Sequence, residues 1–160
     1  MTSPCRSSIL TSQPRRRFFR PQAALAALSC LLCGAAHAQE APVFRPLEHH
    51  AQAGAIIRHL NDSGLSVTSG AAGIADADLN GDGLPEALVR LSGGDIHIFA
   101  LPPRRGVVPL GVIRRPNAVQ IAGQSDFGVR RLIASGSALN DFTRRTYRWN
   151  PQERRYLPAE

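Results

Sequence analysis

The run Asp78-Leu79-Asn80-Gly81-Asp82-Gly83-Leu84-Pro85-Glu86-Ala87-Leu88-Val89-Arg90-Leu91 divides into a turn-rich acidic half and an apolar half. In the acidic half, counted from Asp78, oxygen-bearing side chains stand at loop positions 1, 3, 5 and 9, with glycine at position 6. Calcium is a hard cation that takes roughly 6 to 8 oxygens, so a site needs several carboxylates or amides on a backbone folded tightly enough to converge them. Asp78, Asn80, Asp82 and Glu86 can supply side-chain oxygens and Leu84 a backbone carbonyl, with Asp76 the nearest residue able to complete the shell. Gly83 allows the positive-φ turn that wraps such a loop. The other reading of the same letters is a hairpin loop rich in Asx turns that binds nothing.

The apolar half decides what the loop is attached to. A helical calcium hand requires a bidentate Glu at position 12, and that position is Val89. Pro85 followed by Ala87-Leu88-Val89 suits the start of a strand better than the interior of a helix. A carboxylate at position 9 followed directly by a strand resembles the calcium loops of integrin-type FG-GAP repeats and related bacterial propeller repeats. The resemblance covers Asp78, Asn80, Asp82, Leu84 and Glu86, occurs once in the chain, and lacks the Phe-Gly and Gly-Ala-Pro signatures of those repeats. It implies one calcium ion, and because a single loop offers only three carboxylates, one amide and one carbonyl, the ion is expected to be held weakly.

Upstream of the loop, Pro46 to Asn61 carries Leu47, Ala51, Ala55, Ile56 and Leu60 at helical spacing, with Asp62-Ser63-Gly64 as a stop signal. Leu65 to Gly73 reads as a strand or loop leading into the acidic run. Downstream, short apolar segments separated by Ser92-Gly93-Gly94, Pro102-Pro103 and Asn150-Pro151 predict strands at 86–91, 95–101, 107–113, 118–122, 128–134, 142–149 and 154–157. One helix followed by a run of strands predicts an α+β domain, an N-terminal helix packed on an antiparallel β-meander. This order, with Asp78 to Val89 and the closing aromatics Tyr147, Trp149 and Tyr156, resembles a group of small exported bacterial proteins. That resemblance implies a fold and no activity.

Residues 1–38 are basic, then Ala-Leu-rich, and end in Ala36-His37-Ala38, the layout of a secretory signal peptide cleaved before Gln39. Arg15-Arg16-Arg17-Phe18-Phe19 fits a twin-arginine export signal and equally an ordinary basic leader of the general secretory route. Leu32 is bulkier than lipoprotein cleavage before Cys33 usually tolerates. The expected mature chain, 39–160, is a single periplasmic or secreted domain with its calcium-type loop at 76–86 and no membrane span.

Processing changes the charge argument. Five arginines leave with the leader, so the formal charge falls from +7 to +2, and the basic balance of the whole chain is no argument for nucleic-acid binding. Cys5, Cys30 and Cys33 also leave, which removes disulfides, thiolate chemistry and Cys-ligated zinc from the mature protein. Its charge is split, net −5 from Gln39 to Ala100 and net +7 from Leu101 to Glu160, where arginines recur in adjacent pairs. Residues adjacent on a strand face opposite ways, so such pairs cannot all form one patch.

The chain has no lysine, no phosphate-binding glycine loop and no Gly-x-Ser-x-Gly elbow. His49 and His59 lack ligand spacing on a helix, and His97, between Ile96 and Ile98, is expected on a polar strand face. No catalytic constellation emerges. The expectation is a non-enzymatic domain with a structural or interaction role, its partner an envelope protein. The alternative is an envelope interaction module that binds an anionic polymer or an acidic partner through the arginine-rich half.

Overall fold

Strands dominate the computed structural model, which describes residues 39–136 and 143–159, all within one compact unit. The expected signal peptide and all three cysteines lie outside the described residues. In chain order the elements are β1 (Arg45–Pro46), α1 (Ala53–Asp62), β2 (Gly73–Ala77), β3 (Glu86–Arg90), β4 (Ile96–Ala100), β5 (Val108–Ile113), β6 (Ala118–Asp126), β7 (Val129–Ser135), β8 (Arg144–Asn150) and β9 (Arg155–Pro158). Two antiparallel sheets result, one ordered β1-β2-β3-β4-β5 and the other β6-β7-β8-β9.

This corrects the expected α+β class. The described residues form a predominantly β structure of nine strands in two sheets, with a single α-helix of 10 residues. The reason lies in β3 and β4, each buried at four of its five positions. A strand buried on both faces needs a packed layer on each side. On one face of the first sheet, Ile74, Ala87, Val89 and Phe99 pack with Ile56 and Leu60 of α1 and with Leu47. On the other, Leu88, Ile96, Ile98 and Ile113 pack against Val119, Ile121, Leu132, Ala134, Tyr147 and Tyr156 of the second sheet. One short helix cannot cover both faces, and the second sheet takes the other. Each fully buried Leu, Ile or Phe contributes about 1.5–3 kcal/mol relative to exposure.

The expected single meander breaks between β5 and β6. Arg115 stands at φ 42° and is followed by the buried Pro116, which has no N–H to continue the ladder. The chain leaves the first sheet there and starts the second. The two remain tied by an N-terminal strap: Glu40 exchanges backbone hydrogen bonds with Ile121 of β6 at 3.0 and 2.7 Å, and five residues later Arg45 pairs with Ile74 of β2. Along the strap, Phe44 carries the guanidinium of Arg90 over its ring at 4.2 Å.

The helix is shorter than its periodicity suggests. Leu47–His49 forms a 3-10 turn, His50 is extended (φ −89°, ψ 138°), and α1 begins only at Ala53. The His50 ring accepts the Gln52 N–H at Nδ1 (3.2 Å) and sets Nε2 3.3 Å from Asp76, which draws the residue out of helical register. The stop is where it was expected: Gly64 takes φ 82°, and the Leu65 N–H bonds back to the Leu60 carbonyl at 3.0 Å.

Candidate metal site

The acidic loop joins β2 to β3, and its backbone is wound by its own side chains. Asp78 accepts the N–H of Gly81 at Oδ1 (2.7 Å) and of Gly83 at Oδ2 (3.1 Å). Asn80 Oδ1 accepts from Asp82 N (2.8 Å), and Asp82 Oδ1 from Leu84 N (2.7 Å). Gly81 and Gly83 both hold positive φ, 75° and 80°, the tight turns that side chains with a Cβ resist. The same oxygens that wind the loop are thereby held on its inner side.

Glu86, the first residue of β3, is 5% exposed. Its Oε2 accepts the Leu79 N–H at 2.8 Å, and its Oε1 lies 3.1 Å from the Asn80 amide nitrogen, which also donates to Asp82 Oδ2 at 3.0 Å. Carboxylate oxygens from positions 5 and 9 thus converge on one electropositive atom. Burial raises the Glu86 carboxyl above its ordinary value, and repulsion from Asp82 and Asp78 raises it further, against the lowering effect of the Leu79 N–H. Every charged group acting on Glu86 there is acidic. The donor set is all oxygen and rich in carboxylate, the chemistry of a calcium site. As the side chains stand, no group of three or more His, Cys, Asp or Glu residues closes on one point among the described residues, so the donors suit the ion while the loop must tighten to hold it.

Leu84 is exposed, and its backbone N–H is tied to Asp82 Oδ1 at 2.7 Å. Asp76 belongs elsewhere. Opposed residues of paired strands share a face: Ala77 opposes Glu86 and Asp76 opposes Ala87. Asp76 therefore lies on the helix-covered face of the sheet and Glu86 on the other. There Asp76 pairs with Arg45 and, at 3.3 Å, with His50. The sheet separates it from the loop carboxylates, and it is no member of the site.

The loop is fastened to the second sheet through a residue that sequence reasoning passed over. Leu79 is 1% exposed and sits in the core between the sheets. Its N–H goes to Glu86, and its carbonyl accepts the N–H of Arg130 in β7 at 2.6 Å. The next carbonyl link is the Arg130 oxygen, which accepts the buried Tyr156 hydroxyl of β9 at 2.9 Å. Burial pushes that phenol up, and the Glu86 carboxylate adds to the effect. An apolar residue at loop position 2 is the signal that could have revealed the anchor.

His97 also departs from expectation. It is 8% exposed, on the face shared with Phe99 and not on a polar face, and its ring stacks on Phe99 at 6.1 Å. Burial lowers its pKa, which favours the neutral ring.

No helix among the described residues is long and apolar enough to cross a membrane. Compared with known proteins, the chain matches no family model, no curated protein and no solved structure.

Proposed function

We propose that this chain is an exported, non-enzymatic domain in which one calcium ion fixes the β2–β3 loop, in a structural or interaction role. The observation that carries this reading is the setting of Glu86, a buried carboxylate facing Asp82 and Asp78 with no cation among the charges acting on it. Asp78, Asn80, Asp82 and Glu86 hold the ion with side-chain oxygens, and Leu84 with its carbonyl. When bound, calcium supplies the positive charge that offsets the mutual repulsion of these groups. The chain's own contribution is mechanical. Glu86 orients the Leu79 N–H, Leu79 carries the loop into the core, and its carbonyl holds β7, so order in the loop becomes order between the two sheets.

With few protein donors the affinity is weak, on the order of 10⁻⁴ to 10⁻³ M, as in extracellular modules. At about 1 mM free Ca²⁺ such a site stabilises the fold by roughly 0.4 to 1.4 kcal/mol. For the protein from Gln39 onward, the midpoint of thermal unfolding rises by a few degrees between chelator and millimolar Ca²⁺. Asp78→Ala and Asp82→Ala abolish that rise, while Asp62→Ala, at the exposed end of α1, preserves it. Equal melting of the unmutated protein in chelator and in several millimolar Ca²⁺ reduces the loop to a turn.

A further inference from the structure

Asn80-Gly81 is the one Asn-Gly step in the chain. Asparagine is among the thermolabile residues, because the backbone nitrogen of the next residue can attack its side-chain amide carbon. Glycine in that next place has no Cβ to hinder the approach. Asn61-Asp62 and Asn117-Ala118 carry a Cβ there, and Asn150-Pro151 has no N–H to give up. Residues 80–85 are all exposed, so water reaches the site.

The closed loop ties up both reacting groups. Gly81 N–H donates to Asp78 Oδ1 at 2.7 Å. Attack requires that proton to leave, and its removal sets an amide anion against a carboxylate, so this charge-assisted bond resists it. The Asn80 amide is held at both ends: Oδ1 accepts from Asp82 N at 2.8 Å, and Nδ2 donates to Asp82 Oδ2 at 3.0 Å and to Glu86 Oε1 at 3.1 Å. To swing its carbon toward Gly81 N, the amide must break these bonds. One of its holders stands outside the exposed turn, since Glu86 is buried at the start of β3 and bonded to the Leu79 N–H.

We propose that Asn80 is a self-modification site gated by this loop, spared while the loop is closed and deamidated when it opens. In the open loop Gly81 N loses its proton and bonds to Asn80 Cγ. The Cγ–Nδ2 bond breaks, and the side-chain nitrogen takes up a proton and leaves as ammonia. The five-membered imide that results takes up one water and opens at either carbonyl, to aspartate or to its β-linked isomer. Water is the only co-reactant, and no electrons are exchanged. Both products replace the amide that Asp82 and Glu86 share by a further carboxylate, and repulsion then opposes reclosure. The change runs one way.

The test is run in chelator on the protein from Gln39 onward, so its outcome is separate from whether the loop takes calcium. Peptide mass mapping at alkaline pH follows the conversion of Asn80 with time. The folded protein should convert about tenfold or more slowly than the same chain unfolded in urea. Asp78→Ala, which removes the acceptor of the Gly81 N–H, should speed the folded protein by about tenfold, with circular dichroism showing it folded. Asp78→Asn keeps an acceptor and drops the charge; its smaller acceleration carries the test should Asp78→Ala fail to fold. Asn80→Asp, standing for the product, should lower the midpoint of thermal unfolding. Equal rates in the folded and unfolded chain, Asp78 variants no faster than the parent, or an Asn80→Asp chain as stable as the parent overturns the proposal.

Discussion

Two hairpin connections of the first sheet treat their acids in opposite ways. Between β3 and β4, Asp95 has a cation of its own: it accepts from Arg114 at 2.6 Å and from the Arg115 N–H at 3.0 Å. Between β2 and β3, Asp78, Asp82 and Glu86 spend their oxygens on backbone N–H groups and on one asparagine amide, and the charged groups acting on Glu86 are other acids. Asp76, a few residues away, sides with the first hairpin, since Arg45 pairs with it and the His50 ring lies 3.3 Å from it. The acidic residues of these two connections thus fall into those whose charge is matched by a neighbouring cation and those whose charged neighbours are acids. The second kind, far more than acidity as such, marks a candidate cation site.

The sharpest way to break that contrast is to cut the acidic loop loose from the core. Leu79→Ala empties a fully buried position between the sheets and should cost about 2–5 kcal/mol, read as the denaturation midpoint in urea. The cost is largest if the loop is a tether. Calcium-dependent stabilisation should shrink with it, because the loop loses its side-chain anchor between the sheets and keeps only the Leu79 carbonyl bond to β7. A loss below about 1 kcal/mol would mean that the loop hangs on the sheet without holding it. At the far edge, Gly111→Ala forces a methyl to 3.0 Å from the Tyr156 carbonyl and should cost about 1–3 kcal/mol by the same measurement.

Glu86→Gln tests the charge itself, and its sign changes with the ion. A carboxyl raised above its ordinary 4.5 favours the folded state only when protonated, so its contribution is fully present below about 4.5 and is lost as pH rises through the folded value. In chelator, the Gln variant should therefore melt with the parent protein near pH 4 and above it at pH 7. With calcium present the order should reverse, because the variant lacks one carboxylate ligand and binds the ion about tenfold more weakly or worse. A variant less stable than the parent at pH 7 in chelator would show that Glu86 is matched after all. His97 gives the opposite pH slope away from the loop. Burial lowers its pKa below 6.5, so stability is full above that value and falls as pH drops through the folded pKa.

How much of this was legible beforehand depends on the range over which each signal acts. The strands from β3 onward follow from apolar runs and turn residues, both local, and their bounds fall within a few residues of those read from sequence. The loop is equally local, because Asx turns and positive-φ glycines act over two to five residues. The exclusion of Asp76 was available too, since alternation places it opposite to Ala77 and so opposite to Glu86 once the hairpin register is drawn. The division into two sheets was written less plainly, in Ala87-Leu88-Val89, which is too apolar for a strand with one wet face, and in Pro116 after Arg115. Residues 73–77 carry little β signal in Gly73-Ile74-Ala75-Asp76-Ala77, and β2 forms because β3 needs a neighbour. The contact of β9 with β5 was not legible at all, because the close approach of Gly111 to Tyr156 joins two sheets and no local pattern encodes it.

The smallest effect belongs to the matched hairpin. Asp95→Asn removes the charge that Arg114 faces while keeping an oxygen able to accept the Arg115 N–H. The guanidinium is 74% exposed, so water already screens the pair, and exposed ion pairs contribute roughly 0.2 to 1 kcal/mol. The expected loss is at the lower end of that range and should fade as salt is raised to about 1 M, where screening lengths shrink to a few ångströms. Calcium-dependent stabilisation should not change, since Asp95 lies outside the acidic loop. Removing an acid from this hairpin should therefore slightly destabilise the fold, while neutralising Glu86 should stabilise the calcium-free protein. If Asp95→Asn instead raised the melting temperature in chelator, Asp95 too would be under net repulsion, and the division between matched and unmatched acids would fail.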